Sequence, residues 1–390
     1  MIPHPGRIAL AALALSLAAA PAAAQESGAY VIRLGRDTVV VDQFTRSATR
    51  IEGTLVGRTP RTSIRTYSAE LRPDGSIASL RMETRIPSAP ELLPQVITMT
   101  MGAPTADSAS VRIVRGDTVR EVKVAAGPDV APWVFNAYGL AEPVIRAAAA
   151  RGLDSAAVTV LSPGAPRTGS VSFIRQGADS LLIRSANGVT RARVDRNGRV
   201  LGANSPESTF KAEIERVDRA DVQAIAADWA RRDQAGQQMG TLSPRDSVTS
   251  TIGGATVNVA YGRPSMRGRR VMGQVVPFGE VWRTGANEAT AFRTDRDVMI
   301  DGTRVPAGSY TLWTVPAADG WTLIVNRQTG QWGTVYDAAQ DLARIPVRIE
   351  TASGAPVEML TMRFEPSSGG SSLVIAWENT RVLVPITAAP

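Results

Sequence analysis

The residues best equipped for chemistry are concentrated between Tyr261 and Thr290, a stretch that reads YGRPSMRGRRVMGQVVPFGEVWRTGANEAT. Arg263, Arg267, Arg269, Arg270 and Arg283 are interleaved there with glycines, beside Tyr261, Trp282, Asn287 and the carboxylates Glu280 and Glu288. Guanidinium groups present rigid paired donors that fit carboxylates and phosphates, and they stack on aromatic faces. Glycines let the backbone turn tightly or come close to a ligand. Such a set suits recognition of a small polar or anionic molecule. Arg263, Arg267, Arg269 and Arg283 would be the donors and Trp282 the stacking platform beside Tyr261. Asn287 and Glu288 would read the hydroxyls of a glycan-like ligand. A structural reading stands beside it, in which Arg263 and Arg283 pair with Glu280 and Glu288 and fix long loops. A third reading takes Glu280, Glu288 and Asp337 as the paired carboxylates of a hydrolase, whose mechanism depends on their separation. Trp332, Tyr336 and Asp337 are candidates for a further wall of the same cleft, although core packing suits Trp332 better.

Two absences remove whole classes of activity. The chain has no cysteine, and its single histidine is His4. Structural zinc sites and the common serine or cysteine triads need thiolate or imidazole groups, so neither is expected. No D-x-D-x-D-G calcium loop occurs either, and we expect no metal and no cofactor. The net charge is +7, but only Lys123 and Lys211 are lysines, and the arginines are mixed with acidic residues along the whole chain. That mixing argues against a phosphate-tracking stripe and hence against nucleic acid. Ser208-Thr209-Phe210-Lys211 matches the S-x-x-K pattern of serine β-lactamases and penicillin-binding proteins, yet no S-D-N or K-T-G follows. Lys211 is therefore expected to be solvated. The expectation is binding without catalysis, the partner being a small ligand or an envelope protein.

The elements that must position these residues are mainly strands. From Tyr30 to about Arg85, short runs rich in Val, Ile, Thr and Tyr alternate with Gly, Pro and Asp, as in an antiparallel meander. Asp74-Gly75 predicts a hairpin turn. Residues 129–151 carry apolar groups at helical spacing, and Gly139 and Pro143 predict a split into two short helices. Strands resume from Ala157, which suggests one continuous antiparallel sheet wound on these helices. In 218–238, Val222, Ile225, Ala226 and Trp229 form one apolar face, with Asp218 or Asp221 as cap and Gly236 and Gly240 as the end. Beyond it, short strands recur about every ten residues, including RVMGQVV at 270–276, and a short helix is predicted over about 335–344. Trp313, Trp321 and Trp377 fall within strand patterns and read as core. The fold class is mainly β: an N-terminal antiparallel sheet with a few helices, then a C-terminal β-sandwich or jelly-roll-like domain.

The C-terminal part also resembles a known family. Tyr261-Gly262-Arg263-Pro264, Arg267-Gly268-Arg269, Pro277-Phe278-Gly279 and the run Val281 to Thr290 are similar to the signature of the bacterial family called domain of unknown function 2911. Val305 to Leu312, Trp321 to Asn326, Gln331-Trp332-Gly333, Tyr336-Asp337 and Trp377-Glu378 extend the resemblance over about 241–388. The family implies an exported β-rich domain with no established activity. The N-terminus fits export on its own residues: Arg7, an apolar run from Ile8 to Ala20, Pro21 and Ala22-Ala23-Ala24 form a secretory signal with cleavage expected after Ala24. No later apolar run reaches membrane-spanning length. The expected layout is therefore a signal at 1–24, a β-rich domain at 25–217 with helices near 129–151, a helix and linker at 218–240, and a sandwich at 241–390. The expected location is periplasmic or secreted.

Overall fold

The computed structural model describes residues 25–390 apart from 103–106, 128, 151–154, 165, 186–187, 207, 209 and 353. The proposed signal and Thr209 lie outside the described residues. Two large antiparallel sheets account for the protein. The first has 15 strands and, except at its two-residue edge strand Ala131–Pro132, follows an antiparallel path through residues 26–217. At its centre the first strand, Glu26–Leu34, pairs with both Asp37–Arg46 and the last strand, Glu213–Val217. The chain therefore lays strands outward from the centre on one side and returns inward on the other. Gly75, at φ 81°, makes the expected turn between Ser63–Leu71 and Ile77–Arg85.

This sheet is rolled around one helix. The helix, α1 (Tyr138–Ala150), packs on the central strands Glu26–Leu34, Asp37–Arg46 and Arg50–Gly57, and also on the distant strands Ser155–Leu161 and Thr168–Arg175. Leu140, Ala141, Val144, Ile145 and Ala148 are all buried, because the sheet faces α1 from more than one side. Two short helices were expected here; the structure has one. Pro143 lies inside it, where proline cannot donate to the carbonyl four residues back. That carbonyl belongs to Gly139, and Arg46 Nη2 donates to it at 2.9 Å. A tertiary donor thus fills the gap that proline leaves, and the helix runs on.

A second helix, α2 (Val222–Gln234), lies on the outside of the same sheet. Asp221 caps it by accepting from Ala224 N, and Gly236 follows at φ 73°. Val222, Ala226 and Trp229 bury against Val41 and Val56, which seats the helix on the first sheet as its apolar face requires.

The second sheet has 11 strands. Its path starts at Arg245–Ile252 and Ala255–Gly262, and the hairpin Val357–Ser367/Gly370–Glu378 pairs with Thr380–Ala388. Arg245–Ile252 packs back on that hairpin, so the sheet folds over itself into a nearly closed, barrel-like sandwich. One core fills it, with Val257, Val259, Leu323, Val325, Leu360, Val382 and Val384 all inside. Trp313, Trp321 and Trp377 are buried, as expected. Two local expectations fail. Residues 270–276 form turns rather than a strand, because the Glu378 carboxylate takes the N–H groups of Val271 and Met272 that a ladder would use. Residues 335–344 form only a 3₁₀ turn, Ala338–Gln340, capped by Asp337, before the strand Asp341–Thr351 begins. No helix among the described residues is long and apolar enough to cross a membrane.

A candidate anion site between the two sheets

The sheets meet where the Gly35-Arg36 turn of the first touches the arginine loop of the second. Arg36 N donates to Arg267 O at 3.2 Å, and Arg267 Nη1 pairs with Asp37 Oδ2 at 2.8 Å. Gly35 is required there: its φ is 62°, and a Cβ would stand 2.2 Å from Arg267 O. Beside this contact opens a cavity of about 370 Å³. Arg267, Arg269, Trp282, Arg283 and Asn287 line it from the arginine loop, with Trp377 beside them. Leu34, Phe135, Phe210 and Lys211 line it from the first sheet, and Thr241, Leu242 and Ser243 from the linker. Among the described lining residues four side chains are basic and none is acidic.

Arg283 is the central one. It is 8% exposed and makes no ion pair among the described residues. Its Nη1 donates to Gly333 O at 3.3 Å, and its Nε, although buried, has no hydrogen-bond partner among the described residues. Burial pushes its pKa down to about 10, since nothing nearby offsets the loss of water. The loop is built to keep it there. A Cβ on Gly333 would lie 1.9 Å from Arg283 Cδ, so only glycine lets the side chain pass. Thr284 and Asn287 sit at φ 53° and 63°; for a β-branched residue such as Thr284 this region is an outlier. Thr290 Oγ1, donating to Thr284 O at 2.9 Å, and Thr314 Oγ1, at 3.2 Å from Thr284 Oγ1, hold the strained residue in place. Such strain is kept where the surroundings over-determine it, often beside a site.

Arg269 is held by the carbonyls of Ser265 and Met266. Burial lowers its pKa, and the neighbouring Arg267 charge lowers it further, against the opposing pull of Glu213 and Glu358. Trp282 stacks on Trp377, with ring centroids 6.0 Å apart and planes 19° apart, and meets Trp321 edge-on. The two stacked indoles are anchored in the core while also forming part of the cavity wall.

Five of the eight residues expected to bind ligand therefore share one cavity, and three do not. Tyr261 is buried in the core, its hydroxyl bonded to the backbone of Met362. Arg263 ties strands together through Leu360 O, Thr361 Oγ1 and Asp246. Glu288 is exposed and pairs with Arg245. The expected pairing of Arg263 and Arg283 with Glu280 and Glu288 does not form, because Asp246 and Arg245 are nearer partners and Arg283 turns inward. Glu280 is exposed, and Asp337 serves as a cap. None of the three candidate carboxylates lines the cavity, and neither do Trp332 or Tyr336. Lys211, expected to be solvated, is half-buried in the cavity wall. The wall from the first sheet was not legible in the sequence; the one available signal was that Lys211, one of only two lysines, follows Phe210.

A second buried cationic group lies inside the first sheet. Glu142 of α1 is fully buried and accepts from Tyr30 OH, from Arg216 Nη1 at 2.6 Å, from Arg46 Nη1 at 2.9 Å and from Val200 N at 3.0 Å. Nearby Asp42, also fully buried, accepts from Tyr67 OH and Gly139 N. Burial raises the Asp42 pKa to about 6 against the opposing pull of those hydrogen bonds.

Residues 243–386 match the family described as Protein of unknown function (DUF2911), which agrees with the resemblance read from the motifs. No curated protein matches the chain. Two solved structures are similar at low identity. A DUF1089 family protein from Pseudomonas aeruginosa is 14% identical with a TM-score of 0.32, over 43% of this chain and 90% of that one. A β-barrel-like protein of domain of unknown function DUF1849 from Brucella abortus is 10% identical with a TM-score of 0.34, over 50% and 95% respectively.

Proposed function

We propose that this protein binds a small anionic ligand, without catalysis, in the cavity between its two sheets, and that it does so at the cell envelope. The observation that carries the binding reading is Arg283: a buried guanidinium with no carboxylate partner among the described residues, in a wall whose described side chains include Arg267 and Arg269. Taking a charge out of water costs several kcal/mol unless an opposite charge repays it. An arriving carboxylate or phosphate would supply that charge in the form guanidinium groups bind best. The lining favours an anion over a neutral sugar, since Glu288, the acceptor expected to read hydroxyls, lies outside the cavity. A carboxylate-dependent hydrolase gains no support, because Glu280, Glu288 and Asp337 lie outside it too. The envelope location rests on the residues from Arg7 to Ala24.

A thermal-shift screen of the whole chain against phosphate, carboxylates, sugar acids and neutral sugars tests the reading. It must use the whole chain, because Phe135, Phe210 and Lys211 complete the wall. A bound ligand raises the apparent stability by mass action. Anions are expected to raise Tm in the wild type and not in Arg283→Met, while neutral sugars leave both unchanged. Equal shifts in the two proteins would remove the assignment.

A further inference from the structure

The anion cavity adjoins a second one. A smaller space of about 70 Å³ lies within the first sheet, walled on its apolar side by Trp133, Tyr138, Ala141 and Ile183 and on the other by Thr190, Ser205 and Ser208. Phe135 and Phe210 line both spaces. The two rings meet edge-on with centroids 5.5 Å apart and so form the partition between the cavities. Phe135 is loosely held for a large apolar residue, with half of its surface exposed. Each ring adjoins a residue in the left-handed region, Asn136 at φ 67° and Lys211 at φ 47°, so the partition is built from unusual backbone on both sides. The smaller space is floored by Ala141 of α1 and by Ile183 and Ile214 of the sheet.

Building on the anion reading above, we propose that the ligand is an amphiphile, an anion carrying a short unbranched acyl or alkyl chain. Its head sits among Arg267, Arg269 and Arg283, and its tail displaces Phe135 from Phe210 to enter the smaller cavity. The magnitudes favour this. Separating one aromatic pair costs about two- to tenfold in affinity, whereas each methylene moved from water against the apolar wall of the smaller space returns up to about fourfold. Two methylenes offset the loss. At about 30 Å³ for a water-sized group, the space holds roughly two such groups, so the gain ends after a few carbons.

The test is a titration of the whole protein with n-alkyl carboxylates and n-alkyl phosphates of increasing chain length, alongside acetate and inorganic phosphate. The two series show which head group is preferred. In the wild type, affinity is expected to rise about three- to fourfold per methylene over a few carbons and then level off. Ala141→Leu and, independently, Ile183→Phe fill the smaller cavity and should flatten that rise while leaving inorganic phosphate and acetate binding unchanged. Phe135→Ala should raise the affinity of the longer members. A wild type that binds acetate or phosphate but gains nothing with chain length would overturn the tail and leave the anion site standing. A rise that persists in both filled variants would also overturn it. Failure to bind any anion would overturn both.

Discussion

The two buried cationic clusters of this protein are built from the same side chain and solve opposite problems. Inside the first sheet, Arg46 and Arg216 converge on Glu142, which is also held by Tyr30 and the backbone of Val200. Glu26, which also pairs with Arg46 and Arg216, supplies the second carboxylate, so both guanidiniums have a counter-charge in the chain and the product is a helix locked into a rolled sheet. Between the sheets, Arg283 is as deeply buried yet has no counter-charge among the described residues, and of its basic neighbours Arg267 is paired with Asp37 while Arg269 is held by backbone carbonyls. A closed network of this kind contributes to structure. An open one costs stability, and the proposed ligand would complete it.

That contrast yields opposite signs on mutation, which is its sharpest test. The largest effect belongs to the closed cluster: Glu142→Gln leaves Arg46 and Arg216 short of a buried partner and should cost about 3–5 kcal/mol in denaturant unfolding. Next is Asp42. Its folded pKa of about 6 lies above the unfolded value, so the native state binds the extra proton between about pH 4 and pH 6. The Asp42 contribution to stability is therefore fully present below about pH 4 and is lost as pH rises to 6, by about 3 kcal/mol in all. Comparing wild type with Asp42→Asn across that window isolates it from surface carboxylates such as Asp297, whose lowered pKa makes stability fall in acid instead. Arg283→Met should stabilise the free protein by about 1–3 kcal/mol, the reverse of the Glu142 result, because it removes an uncompensated charge. A loss of stability would mean that Arg283 has a structural role. The smallest effect is expected from Asp37→Asn. The pair with Arg267 is partly exposed, so unfolding should shift by less than about 1 kcal/mol, while the freed guanidinium raises anion affinity.

The strand-rich architecture was legible because alternation and turn residues are local signals. Asp74-Gly75 and the Val222, Ala226, Trp229 face can be read without knowing what they touch. What escaped depended on distant partners. Pro143 predicts a break that Arg46 repairs from 97 residues away in the chain. The strand expected over Arg270–Val276 loses its backbone donors to Glu378. The candidate site was half legible for the same reason. Arginine density marked the loop, but which guanidinium would find a carboxylate depended on Asp246 and Asp37, outside the loop. The wall contributed by Phe135 and Phe210 depends on how the sheets meet, and no spacing within either segment encodes that.

The central claim is that Arg283 lacks a counter-charge that a ligand supplies. Calorimetric titration of inorganic phosphate and of a short carboxylate into wild type, Arg283→Met and Arg245→Met tests it most directly. Arg245 serves as the control because its partner, Glu288, is exposed. The account predicts one site per chain in wild type, at least tenfold weaker binding in Arg283→Met, and undiminished binding in Arg245→Met. Binding of equal strength in all three proteins, or no binding of any anion to the wild type, would contradict it.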